Sequence, residues 1–258
     1  MPKPVLTIFY QFNPWHTTIG GIQTIIINFI KYAPPEFDVR LVGTGVDPNE
    51  PLGQWQEKEL AGRKLSFLPL ILVENDDVRG LIPTTLRYTG ALLRQNFASN
   101  FMHFHRIEPT LATFQWNGDK TLVIHNDIEE QMSGSGGDKG SILWRYLPSV
   151  YFRLEKLLVG QFAEILSCNS NSCQFYRDRY PEIADRITFY QNTVDPEIFY
   201  PLPAEQRPAA REAFAKERSL PTDTRFLLFA GRLHPQKDPV LLVQTVAALQ
   251  DPTVHQWH

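Results

Sequence analysis

An α/β protein built on a mainly parallel sheet is what this sequence predicts, on three observations. Short apolar runs alternate with helix-period patterns along most of the chain, the signature of parallel strands joined by crossover helices. After Gly20–Gly21 comes IQTIIINFIKY, with Ile22, Ile25, Ile26, Phe29 and Ile30 at offsets 0, 3, 4, 7 and 8, which makes one apolar helix face. Finally, 43% of the 258 residues are apolar and 12% aromatic, enough for one core of roughly 150–200 residues plus a remnant.

Taken in order, Val5–Tyr10 reads as the first strand, and Pro34–Pro35 ends the helix that follows it. Phe37–Gly43 and Leu65–Val73 read as strands, separated by a polar, proline-containing loop. Thr84–Phe97 reads as a helix, then Phe101–His105 and Thr121–His125 as strands. A glycine-rich loop at 133–140 precedes a long helical pattern from Ile142 to Ala163, bent at Pro148, with its stripe on Val150, Leu154, Leu157, Leu158 and Phe162. Ile165–Cys168 is a short strand, Cys173–Tyr180 a helical turn or two, and Ile187–Tyr190 a strand. Residues 1–199 thus form an N-terminal domain, and 200–224, rich in proline and charge, read as a linker containing a short helix. A fresh unit opens at 225–258: RFLLFA as a strand, GRLHPQKD as a loop, PVLLVQTVAAL as a helix.

Composition excludes several functions. The formal net charge is −3, so no basic field argues for nucleic acid. Cys168 and Cys173 have neither a redox nor a zinc-ligand spacing and read as small apolar residues. The opening MPKPVLTIFYQFNP has no apolar signal-peptide region, and no run of about 18 apolar residues exists. A cytoplasmic protein is expected.

Candidate chemistry gathers at strand-to-helix junctions. Gly20–Gly21 lies between the first strand and first helix, where backbone N–H groups and the positive helix end can face an anion; a tight turn explains the pair equally well. On GRLHPQKD, Arg232 offers a planar fork and Lys237 a point charge, a combination suited to a diphosphate, against the alternative of two solvated loop cations. His125, followed by Asn126 and Asp127, ends a strand on the edge where open α/β sheets bind ligands. His103 and His105 share a strand face, but nothing nearby supplies a third ligand, so no metal is expected and an ordinary buried strand is the plainer reading.

In this order the stretches GGIQTIIINFI, HFHRIEP, VIHNDI, RLEKLL…FAEILSCNSNS, YQNTVDPEIFYP and FAGRLHPQKDPVLL resemble the retaining glycosyltransferases of family four, the group 1 glycosyltransferases with the GT-B fold. The resemblance covers nearly the whole chain from Gly20 onward. It implies two facing Rossmann-like domains that move a sugar from a UDP- or GDP-sugar donor to a glycan or lipid-linked acceptor, with no cofactor and no metal. Gly20 and Gly21 match the family's glycine pair facing the donor diphosphate. His125 matches a histidine near the transferred sugar, and Arg232 and Lys237 match the pair holding the donor phosphates.

Two departures stand out. Asn192–Thr193–Val194–Asp195 replaces the family's Asn-Gly-Val-Asp, and the second domain's Glu-x7-Glu has no counterpart before His258. The chain is therefore expected to be truncated within its second domain. A non-catalytic remnant and a nucleotide-sugar epimerase of related architecture are the competing readings. The aromatic and basic residues of the 142–163 helix allow peripheral docking at a membrane surface, with a core helix and a solvated edge as the plainer alternative.

Overall fold

Strand β1 (Val5–Phe9) lies inside an eight-stranded sheet, with β2 (Asp38–Gly45) on one side and β5 (Phe101–Phe104) on the other. The computed structural model describes residues 2–16, 20–74, 82–125, 147–231 and 237–248. Beyond β2 come β4 (Arg63–Leu72) and β3 (Gln56–Leu60); beyond β5 come β6 (Asp119–Ile124), β7 (Glu164–Ser167) and β8 (Ile187–Phe189). Every pairing is parallel except β3 with β4. The α/β parallel-sheet expectation therefore holds, with one strand more than the sequence reading contained.

That strand is β3, within what reads as a polar loop. QEKEL has no apolar run to announce it, because a sheet-edge strand needs no second buried face and is protected by charge. It is held by a hairpin whose turn, Ala61–Gly62, has φ of 51° and 79°. Such primed turns match strand twist, and glycine tolerates the geometry better than alanine does.

Helix α1 (Gly21–Tyr32) packs Ile26 and Ile30, both fully buried, on Leu6, Ile8, Val39, Leu41, Leu65 and Phe67. The alternate residues of the same strands, Phe9, Val42 and Leu68, with Met102 and Phe104 of β5, meet Tyr88 and Leu92 of α2 (Thr84–Leu92) on the other face. Helix α2 stops five residues short of the expected Phe97. The side chain of Asn96 accepts from the Ala98 N–H and turns the chain, so that Phe97 meets Trp55 and Trp116 edge-on.

Helix α3 (Pro148–Val159) starts at the proline where a bend was expected, and its face differs from the expected stripe. Tyr151, Glu155, Leu158 and Val159 are buried, whereas Val150 and Leu157 are 49% and 61% exposed. The stripe is turned by one residue because the interior accepts Glu155 as a hydrogen-bond hub. The hydroxyls of Tyr176, on α4 (Ser170–Arg179), and of Tyr180 donate to its two carboxylate oxygens at 2.5 and 2.6 Å. Tyr151 joins the same network. Helix α4 begins three residues before the expected Cys173, since Asn169 accepts from the N–H groups of Asn171 and Ser172 as an N-cap.

The described residues divide into two compact units, with the break after Asp195. In the second, α5 (Arg207–Glu217) is the helix expected in the linker, and its Phe214 ring meets Phe226 edge-on at 4.9 Å. α6 (Pro239–Ala248) matches the last expected helix. RFLLFA, expected as a strand, joins no ladder: Leu227 and Leu228 are 64% and 86% exposed. A strand is defined by its hydrogen-bonded neighbour, and among the described residues this segment has none. No helix among the described residues is long and apolar enough to cross a membrane.

The Glu155 hub yields a prediction. Glu155→Ala strands two buried tyrosine hydroxyls and should lower unfolding free energy by about 2–4 kcal/mol, while Glu155→Gln, which keeps an acceptor, should lose less. Burial holds the Glu155 carboxyl above its ordinary 4.5. The folded chain therefore retains a proton that the unfolded chain releases, and this contribution is present below pH 4.5 and lost as pH rises through the folded value. Urea midpoints across pH should show that dependence in the native chain and lose it in Glu155→Gln.

Candidate functional site

The strand order reverses at β1: the chain winds outward through β2 and β4 on one side and through β5 to β8 on the other. In such sheets a crevice opens at the carboxyl ends of the two strands flanking the reversal, because their connections leave in opposite directions. The segments following β1, β5, β6, β7 and β8 supply Gly20–Gly21, His105, His125, Cys168 and Tyr190 respectively, all at that edge.

The connection after β1 is tied down before it reaches α1. Thr44 N–H donates to the Phe12 carbonyl at 3.1 Å, and that carbonyl lies so close to Gly43 that a Cβ there would strike it. Trp15 N–H donates to the side chain of the fully buried Asn13 at 3.1 Å. Gly20 then acts as N-cap with extended backbone, φ −109° and ψ −177°, and no side chain caps the helix. Neither glycine has positive φ, so the pair does not use glycine's left-handed freedom. A Cβ on Gly20 would meet only the end of the Gln23 side chain, and one on Gly21 would have nothing within 4 Å. The chain's own packing does not require glycine at 21. The first-turn N–H groups have no intrahelical partner and, among the described residues, no side-chain cap, so the site suits an approaching anion.

The histidines form the chemical centre of the edge. Continued one residue past the β5–β6 ladder, the register sets His105 across from Val123, so His125, two residues on, shares its face. Their rings stack at 5.0 Å with 12° between planes, and His105 Nδ1 lies 2.7 Å from His125 Nε2, a hydrogen bond. The Phe29 ring of α1 contacts both His103 and His105, and Tyr10 meets His105 edge-on. His103 Nδ1, His105 Nε2 and His125 Nδ1 are buried without a hydrogen-bond partner. Burial brings His103 and His125 down to about 4, and His105, also beside the other two, well below its ordinary 6.5. All three rings are neutral at pH 7. Cys168, a free thiol, donates to the His125 carbonyl at 3.3 Å. Burial raises the Tyr190 hydroxyl beside it to about 12. Among the described residues no group of three or more His, Cys, Asp or Glu side chains is arranged to hold a metal ion.

Gly20, Gly21 and His125 are thus brought to one sheet edge. Lys237 belongs to the second unit, exposed just ahead of α6, where Asp238, at φ 41°, accepts from Leu241 N–H through its side chain. Its stem runs beside Gly231. Arg232 lies outside the described residues, as do Asn126, Asp127 and the glycine-rich loop. Thr193 does not have positive φ, so the turn that differs from the family pattern avoids the left-handed conformation altogether. Buried Asp195 accepts from Lys31 Nζ at 2.8 Å and from the Tyr32 hydroxyl at 2.7 Å, tying the end of α1 to the end of this unit. Sequence reasoning missed His105 as the partner of His125. The signal available was the spacing: both histidines end adjacent parallel strands.

A stretch of 96 residues is 33% identical to the D-inositol 3-phosphate glycosyltransferase of Stackebrandtia nassauensis, covering 37% of this chain and 20% of that one. The fold matches the catalytic domain of starch synthase IV from Arabidopsis thaliana, solved with ADP and acarbose, at a TM-score of 0.57 and 10% identity, over 96% of this chain and 66% of that one. Both are glycosyltransferases. The structural likeness shows a shared fold, and the expected α/β architecture of the GT-B type holds with it. The chain spans about a fifth of the curated relative and less than two thirds of the starch synthase chain. No family model matches the chain.

The buried imidazoles make acid stability measurable. A histidine whose folded value is depressed adds stability above its unfolded value and loses it as pH falls. Below pH 6.5 the unfolded chain takes up protons that the folded chain refuses until about 4. Unfolding free energy should fall across that window by about 1.4 kcal/mol per pH unit for each such histidine. Urea titrations between pH 7 and 4 should show this slope, reduced in His103→Asn.

Proposed function

We propose that this chain is part of a retaining glycosyltransferase of the family-four kind, moving a sugar from a UDP- or GDP-sugar to a glycan or lipid-linked acceptor without a metal ion. The observation that carries the reading is the α1 N-terminus, uncapped among the described residues, with an open Gly21, on the same sheet edge as a half-buried, neutral His125. The sequence similarity to an inositol phosphate glycosyltransferase supports it.

In this reading the donor diphosphate lies against the first-turn N–H groups of α1, and Arg232 and Lys237 are donor-phosphate residues by the family resemblance. Breaking the sugar–phosphate bond leaves charge on the nucleoside diphosphate, and prearranged dipoles and cations stabilise that charge as it develops. The sugar passes through an oxocarbenium-like state. A neutral imidazole at His125 hydrogen-bonds a sugar hydroxyl without placing a second positive charge beside the developing one. With its value near 4, His125 holds no spare proton at pH 7 and does not serve as a general acid. The enzyme is read as cytoplasmic and peripheral to the membrane's inner face. Exposed Leu147, Val150, Arg153, Lys156 and Leu157 support that contact by giving α3 and its entry a basic and apolar outer side.

Two experiments bear on the reading. Gly21→Ala removes only space that the fold leaves open, so thermal stability should hold or rise by about 0.5–1 kcal/mol. Calorimetric affinity for a nucleoside diphosphate should meanwhile drop about tenfold, roughly 1.4 kcal/mol. Unchanged affinity in a folded Gly21→Ala would remove the α1 N-terminus from the site. Separately, Arg232→Ala and Lys237→Ala should each weaken nucleotide-sugar binding by about 1.5–3 kcal/mol. Equal affinity in both variants and the native chain would show that the loop carries solvated charge only.

A further inference from the structure

We propose that His105 is a positioning residue: it grips Nε2 of His125 from below and leaves Nδ1 as the one nitrogen that His125 can offer to a hydroxyl of the bound sugar. The sugar contact rests on the reading given under Proposed function; the grip itself does not.

The geometry for the grip is complete on the protein side. The 2.7 Å contact between His105 Nδ1 and His125 Nε2 occupies the inner nitrogen of His125. His105 cannot swing away, because its ring is enclosed by Tyr10 and Phe29, with centroids 6.0 Å from each, and the residue is only 4% exposed. The backbone of His125 is fixed independently from the next strand: Cys168 N–H donates to the Ile124 carbonyl at 3.2 Å and the Cys168 thiol to the His125 carbonyl at 3.3 Å. Ring and main chain are therefore held by two different neighbours, β5 and β7. Turning the His125 ring over would break the only hydrogen bond that either ring makes through a nitrogen among the described residues, inside a desolvated site.

A hydrogen bond between two neutral imidazoles carries one proton, so the tautomers of the two rings are tied together. When Nδ1 of His125 accepts from a hydroxyl, its proton sits on Nε2 and is donated to Nδ1 of His105, whose own proton is then on Nε2. When Nδ1 of His125 donates instead, both rings take the opposite tautomer. The tautomer of His105 and the donor or acceptor role of His125 toward the ligand thus change together, without His105 touching the ligand. His103 lies beside the pair and lowers His105 further, which keeps a second proton off it. On the neighbouring segments the Tyr10 ring meets His105, the Cys168 thiol meets the His125 carbonyl, and the Tyr190 hydroxyl interacts electrostatically with Cys168.

The test uses the 258-residue chain with ¹⁵N-labelled histidine rings. In the native chain a scalar coupling across the nitrogen–nitrogen hydrogen bond should link His105 Nδ1 and His125 Nε2, and His125 should show one tautomer. In His105→Leu, His125 should show the average of both tautomers. His105→Asn, whose amide reaches the Nδ1 position, should restore one. Absence of the coupling in the native chain, or a single His125 tautomer in a folded His105→Leu, overturns the grip. If His105→Leu does not fold, the native coupling decides by its presence or absence. The sugar contact is read separately by calorimetry. His105→Leu and His125→Ala should weaken nucleotide-sugar affinity about tenfold and leave that of the nucleoside diphosphate alone unchanged. A His125→Ala variant that binds the nucleotide sugar normally sinks the sugar-site reading, whatever the coupling shows.

Discussion

A parallel strand can be paired on both sides only if crossover connections carry the chain over the sheet, and at β1 those connections part in opposite directions. Everything at the candidate site depends on that reversal. It puts the ends of β1, β5 and β6 next to one another, and with them the start of α1 and the two histidines. The stacked Phe9 and Phe104 rings, 4.6 Å apart on the opposite face, hold β1 and β5 together beneath it. The site is therefore supported by the best-buried strands of the molecule, while its reactive groups lie where those strands stop.

Placing three imidazoles in a desolvated layer has a cost and a use. Their orphaned nitrogens are polar groups that water cannot reach, and burial of this kind is usually avoided unless a partner arrives. The same desolvation keeps the rings neutral, which is the state in which a histidine can either donate or accept. Neutral rings of this kind interact through the direction of their hydrogen bonds rather than through charge. The start of α1 is a separate element on that edge, where the polarity comes from backbone dipoles. The histidines and the start of α1 lie on one edge because β1 and β6 are separated only by β5.

The Glu155 network shows the opposite use of buried polarity. There each carboxylate oxygen has a tyrosine hydroxyl, so the group orients α3 against α4 instead of awaiting a ligand. The Lys31–Asp195 pair adds a third variant: a carboxylate at the edge of the unit, held by both a cation and a hydroxyl, that fixes the far end of α1.

The sequence by itself determined the elements whose two faces differ or whose both faces are buried. The apolar runs of β1, β2, β4 and β6, the one-sided stripe of α1 and the proline pair that ends it are local properties, so composition and period reveal them. It also determined that Gly20–Gly21 and His125 lie at strand-to-helix junctions. What it could not determine were features in which a neighbour decides. β3 exists because β4 offers it an edge, and QEKEL carries no core-facing run to betray it. RFLLFA has a strand's composition but no partner among the described residues, and hydrogen bonding, not composition, makes a strand. The face of α3 turned by one residue because three tyrosines, two of them from elsewhere in the chain, make room for Glu155. The pairing of His105 with His125 needed the register of β5 on β6, a relation between segments twenty residues apart that no single-segment pattern encodes.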